Sequence, residues 1–172
     1  MRSIVAVLAV ALAMVFSTVG PGRAGDAEVN LLRSYIGSWA GQSVLTGGDQ
    51  PEAFSCRLAV TQGRLVKINY AGRCTLVNMN LSVTGTISFN DEANRYEAAM
   101  RSNVGFSAAA VGMQKGKTIV FVLKERQADR GGGTMEVDSV LELTGSRIAV
   151  DFNVEFNRSG QVLTAKVPFQ RN

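Results

Sequence analysis

From Trp39 to Phe169 apolar and polar residues alternate in ten short stretches, separated by clusters of Gly, Asn, Asp and Ser. A period of two sends successive side chains to opposite faces of a strand, so each stretch reads as a strand with one wet face. The predicted strands are Ser38–Leu45, Ala53–Thr61, Leu65–Val77, Leu81–Asn90, Arg95–Arg101, Val104–Met113, Thr118–Arg126, Thr134–Leu143, Arg147–Asn157 and Val162–Phe169. Links such as Asn90-Asp91-Glu92-Ala93-Asn94 and Thr144-Gly145-Ser146 suit hairpins and are too short for helical crossovers. Only Asp26–Ile36 has helical character: Asp26 suits the cap, Glu28 the first turn, and Leu31, Leu32 and Tyr35 share a face ahead of Gly37. The expected architecture is all-β: one closed antiparallel up-and-down barrel of about ten strands with a short N-terminal helix.

The alternation also assigns the faces. Leu81, Val83, Gly85, Ile87 and Phe89 fall on one side of their strand, and Met135, Val137, Ser139, Leu141 and Leu143 on one side of theirs. A turn at Thr144–Arg147 sets Leu143 opposite Ile148 and Leu141 opposite Val150, continuing through Phe152, Val154 and Phe156. The inward residues expected to line a ligand cavity are Phe89, Tyr96, Met100, Phe106, Phe121, Met135, Phe152, Val154 and Phe156, with Tyr96 and Ser139 as the polar groups that orient a headgroup. Ala108, Ala109 and Ala110, between Gly105 and Gly112, either hollow out ligand space or turn a barrel corner.

The start of the chain sets the expected compartment. Arg2, the apolar run Ile4–Phe16 and the small-x-small triplet Gly22-Arg23-Ala24 form an export signal, with cleavage after Ala24. That run of 13 residues is shorter than the roughly 18 to 20 a spanning helix requires, so no transmembrane segment is expected. Residues 1–24 are thus the removable signal and 25–172 a single domain, periplasmic or secreted. Loss of Arg2 and Arg23 lowers the net charge from +4 to +2, an excess too mild and dispersed for a nucleic-acid footprint.

Two cysteines, Cys56 and Cys74, remain in the exported chain. An even count in an oxidising compartment favours a disulfide over two buried thiols, and two thiolates do not complete a zinc site, so no metal is expected. A two-residue turn at Gln62-Gly63 sets Cys56 opposite Asn69, too far from Cys74 to bridge. A bridge instead requires Cys56 opposite Cys74, Leu58 opposite Gly72 and Val60 opposite Tyr70, around a wider connection at Arg64–Val66. The chain contains no His, which removes Ser-His-Asp and Cys-His mechanisms. Glu136, Asp138, Glu142, Asp151 and Glu155 fall on the outward face, so no catalytic residue is assigned and the protein is read as not an enzyme.

A short helix leading into Gly37-Ser38-Trp39 at the first strand, followed only by antiparallel strands, resembles the lipocalin-like barrels of the calycin superfamily. Strand number places it nearest the nitrobindin-like or fatty-acid-binding members. The resemblance implies that Trp39 closes the barrel base under an arginine near the last strand, for which Arg171 is the better match in this chain and Arg158 the poorer. Nitrobindin-like barrels hold haem through a histidine, which this chain lacks, so no cofactor is expected.

The leading functional expectation is an exported binding protein that encloses a small apolar or amphipathic ligand. The alternative is an interaction protein, such as a periplasmic protease inhibitor. It would use Gly25–Asn30 as an inserting segment or an outer patch near Val120 and Val122, where one strand is apolar on both faces. That patch would lie under the N-terminal helix or a protein partner.

Overall fold

The computed structural model describes residues 25–77, 79–128 and 131–172, so the expected export signal lies outside the described residues. Helix α1 (Asp26–Arg33) precedes ten strands: β1 (Gly37–Leu45), β2 (Glu52–Gln62), β3 (Lys67–Thr75), β4 (Asn80–Asn90), β5 (Arg95–Ser102), β6 (Ser107–Lys115), β7 (Thr118–Ala128), β8 (Thr134–Thr144), β9 (Arg147–Phe156) and β10 (Gln161–Arg171). Each strand pairs antiparallel with its sequence neighbours, and β10 returns to β1 to close the barrel. Closure leaves no edge strand and sends alternate side chains to a common interior.

Boundaries depart from the sequence reading by one to three residues, and three of these shifts have a clear local reason. The helix ends at Arg33 rather than Ile36, with the Tyr35 and Ile36 amides bonded three residues back to the Leu32 and Arg33 carbonyls, and it is capped by Gly25 without a side-chain bond. Strand β6 starts at Ser107 rather than Val104. Gly105 sits at φ 86, and Asn103 leaves the ladder to bond β4, accepting from the Ser82 amide at 2.8 Å and donating to the Asn80 carbonyl at 2.8 Å. Strand β3 starts at Lys67 rather than Leu65, because Leu65 turns the chain at φ 56 with its side chain in solvent.

The expected pairings of Leu143 with Ile148 and Leu141 with Val150 are present. So is the wide β2–β3 connection, with Cys56 opposite Cys74, Leu58 opposite Gly72 and Val60 opposite Tyr70. The two cysteines form a disulfide with Cα atoms 4.0 Å apart. The helix packs at one end of the barrel near β3 and β4, burying Val29 and Leu32. It therefore does not cover Val120 and Val122: Val122 is 54% exposed. It also means that Gly25–Asn30 is folded onto the barrel rather than free to enter a cleft.

Candidate functional site

At the helix end the barrel is sealed. Trp39 is fully buried and donates from Nε1 to the Tyr35 carbonyl at 3.0 Å, so the plug is tied to the turn that follows the helix. The Arg171 guanidinium lies 4.4 Å from the Trp39 ring centroid and donates to the carbonyls of Ile36 (2.7 Å) and Ser34 (2.6 Å). Glycine at position 37 makes this approach feasible, since a Cβ there would stand 2.6 Å from Arg171 Nη1. Above the plug, Ile68, Ile87, Ile119, Leu143, Ile148 and Phe169 fill the inner wall and are buried.

Toward the opposite end the inward face is less buried on β5, β8, β9 and the start of β10, while Phe54 and Cys56 on β2 remain buried. Met100, Val137, Ser139, Val154, Phe156 and Leu163 face inward by register yet are only half-buried, so water-sized space reaches the inner wall there. The interior is a cup with a packed base and a looser mouth.

This gradient divides the sequence-predicted lining into two groups. Phe89, Tyr96 and Phe121 belong to the packed base: Phe89 and Tyr96 meet edge-to-face at 5.0 Å, and the Phe121 ring lies over Gly112, where a Cβ would stand 2.5 Å from it. Met100, Met135, Ser139, Phe152, Val154 and Phe156 line the looser half. Phe106 is buried in the turn before β6, its amide bonded to Ser102 Oγ at 3.1 Å. The two groups expected to orient a headgroup are occupied within the protein. Tyr96 donates to Gln114 Oε1 at 2.6 Å, and Ser139 donates to the Asp151 carbonyl at 3.0 Å. Burial, reinforced by Glu28 and Tyr35, pushes the Tyr96 hydroxyl up to about 12.

Inward polar residues were missed as well, Tyr70 and Glu125 among them. Tyr70 lies across Gly85, where a Cβ would stand 2.4 Å from its hydroxyl, and burial pushes that hydroxyl up to about 12. Glu125 follows Ile119, Phe121 and Leu123 on the inner face and sits half-buried at the mouth opposite Val137. Continuing the alternation along β7 would have found it.

The wall itself has a split. The β1–β10 ladder runs from Trp39↔Arg171 to Gly41↔Phe169 and resumes only at the Thr46↔Thr164 bridge. Thr46 and Thr164 exchange both backbone bonds, so alternation makes Gln42 opposite Pro168 another hydrogen-bonded position. Proline has no amide hydrogen to place there, and the seam opens. Ser43 Oγ instead spans it to the Lys166 carbonyl at 2.6 Å. A cleft of about 450 Å³ lies over this split, lined from outside by Val44, Asp151 and Lys166 and from the inner face by Ser43, Phe152 and Ala165.

No family model and no curated protein matches the chain. Solved structures do. The crystal structure of Rv2717c from M. tuberculosis superposes with a TM-score of 0.65 at 14% identity, covering 84% of this chain and 96% of that one. An S-type phycobiliprotein lyase, CPES from Guillardia theta, gives 0.54 at 15% identity, covering 86% and 94%. The likeness shows the fold, a closed ten-stranded antiparallel barrel. At these identities the likeness speaks for fold and not for activity.

Proposed function

We propose that the protein binds a small apolar or amphipathic molecule in the looser half of the barrel, outside the cytoplasm. The observation that carries this reading is the burial gradient of one continuous apolar inner wall, packed at the base and incompletely filled toward the mouth. The split between β1 and β10 adds a lateral approach to Phe152 and Ala165. Glu125 puts a carboxylate on the inner wall near the rim, which favours a headgroup that donates hydrogen bonds and opposes a carboxylate such as a fatty acid. Within the calycin type, strand number brings the chain nearest the nitrobindin-like and fatty-acid-binding barrels, and without a histidine it would hold its ligand by burial rather than through haem iron. Binding is preferred to catalysis because, Glu125 aside, inner-wall groups such as Tyr96, Ser43 and Ser139 are paired with a neighbouring side chain or with backbone; the activity of the lyase of similar fold belongs to that protein.

An environment-sensitive apolar dye should bind saturably with one site per chain, and Phe152→Arg should abolish this by placing a charge in the cavity. Absence of binding, or equal binding by a folded Phe152→Arg variant, sinks the proposal. A fatty acid that displaces the dye better than the matching alcohol or amine would reject the role given to Glu125.

A second reading, docking of a protein partner, rests on the outer face of β6 and β7. Their ladder ends at Gly112↔Phe121 although both strands continue, and Val111, Met113 and Val122 are 44%, 70% and 54% exposed beside the divergence. Such exposed apolar side chains together favour a contact surface.

A further inference from the structure

The outer wall of the barrel is electrostatically uneven. On β7 and β10 cations are matched by the acids of β8 and β9: Lys124 with Asp138, Arg126 with Glu136, and Lys166 with Asp151. On β2 and β3 they are unmatched. Arg57 and Arg73 stand directly opposite one another, both exposed, and among the described residues neither has an ion-pair or hydrogen-bond partner. Like charges directly opposite on neighbouring strands repel and weaken the pairing.

The Cys56–Cys74 bridge, one pair along on the inner face, holds this arrangement in register. Its Cα separation of 4.0 Å marks the closely spaced, non-hydrogen-bonded type of pair, so alternation makes Arg57↔Arg73 a hydrogen-bonded pair with Cα atoms about 5.5 Å apart. On the far side of the bridge Ser55 faces Thr75 on the same outer surface as the arginines, and the four residues line a cleft of about 350 Å³. The flanking outward positions, Ala40 and Gln42 on β1 and Asn80 and Ser82 on β4, bring no carboxylate to neutralise it.

We propose that Ser55, Arg57, Arg73 and Thr75 form a binding site for a phosphate group. Two guanidinium forks supply paired N–H donors, and two hydroxyls supply one donor each. A tetrahedral dianion has enough oxygens and charge to engage both forks at once and relieve their repulsion, whereas a single carboxylate satisfies one fork. The phosphate is carried either by a soluble phosphorylated molecule or by a lipid headgroup. The site is separate from the barrel interior and stands whether or not the cavity binds a ligand.

Inorganic phosphate, followed by calorimetry and by thermal midpoint against sodium chloride of equal ionic strength, tests it. The expected result is saturable binding that raises the midpoint beyond chloride, weakened at least tenfold in Arg57→Ala and in Arg73→Ala. Arg73→Glu should abolish binding while keeping the protein folded, because it turns the repulsive pair into an ion pair. Arg57→Lys combined with Arg73→Lys keeps the charge and loses the forks; it should also weaken binding several-fold, and undiminished binding by this variant reduces the site to a general positive potential and overturns the proposal. Phosphate that stabilises no better than chloride overturns it as well. Vesicles of phosphatidylcholine with and without phosphatidic acid, whose headgroup is a phosphomonoester, identify the source: pelleting only with the phosphatidic acid vesicles, reversed by phosphate, supports a lipid headgroup. Phosphate binding without pelleting supports a soluble ligand.

Discussion

Arg171 covers the Trp39 ring at 4.4 Å while its two terminal nitrogens bond the carbonyls of Ser34 and Ile36, so one side chain joins the last strand, the first strand and the end of the helix. Trp39→Ala should cost about 3 to 5 kcal/mol, as a large buried aromatic is lost. Arg171→Ala should cost less, about 1 to 2 kcal/mol, because the guanidinium is partly solvated although its ring contact and bonds are lost. Arg171→Lys should recover less than half of that, since an ammonium cannot stack and bridge two carbonyls together. Denaturant midpoints of the three variants check the order. Equal midpoints for Arg171→Ala and wild type would show that the base is held by packing alone.

The Cys56–Cys74 bridge closes a loop of 18 residues and should stabilise the barrel by about 3 kcal/mol in the chain-entropy model. Part of that restrains the Arg57–Arg73 repulsion next to it. Replacing both cysteines with serine should therefore cost more at low salt than at high salt, where the arginines are screened. A loss independent of ionic strength would mean that the two pairs are not coupled.

The barrel was legible because alternation is a local signal that register multiplies: once Leu143 faces Ile148, every later inward residue of that hairpin follows. The disulfide register was legible for a different reason: a bridge needs Cys56 opposite Cys74, which a tight turn at Gln62-Gly63 forbids, and Leu58 opposite Gly72 follows. The site was legible only in part. Which inward residues pack and which border open space depends on where the helix docks and on aromatics from neighbouring strands, as when Tyr70 fills the space over Gly85. Tyr96 and Ser139 looked free because their partners, Gln114 and the Asp151 carbonyl, lie across strands. The seam at Pro168 needed the parity of hydrogen-bonded pairs, which Thr46 and Thr164 fix and composition does not.

Pro168 makes a prediction about that seam. Pro168→Ala returns an amide opposite the Gln42 carbonyl, a gain of about 0.5 to 1.5 kcal/mol, while losing about 0.4 to 1 kcal/mol of proline's restriction of the unfolded chain. Global stability should hardly move. Amide exchange should slow at least about tenfold at Gln42, Val44 and Lys166 as the ladder extends toward Thr46. Unchanged exchange at these three amides would assign the split to something other than the missing donor.

The buried tyrosines set the alkaline limit of stability. Tyr70 and Tyr96 have hydroxyls pushed from 10.0 to about 12, chiefly by burial, so between these values the folded chain retains protons that the unfolded chain releases. Ionisation therefore favours unfolding: their contribution is fully present below pH 10, and stability should fall progressively as the pH rises toward 12. Tyr70→Phe with Tyr96→Phe removes both groups. That variant should lose about 1 kcal/mol at neutral pH from the Tyr96–Gln114 bond, yet decline less steeply than wild type above pH 10. Denaturant midpoints at intervals from pH 8 to pH 12, with tyrosinate absorbance as the parallel readout, decide it; equal slopes would place the alkaline transition on other groups.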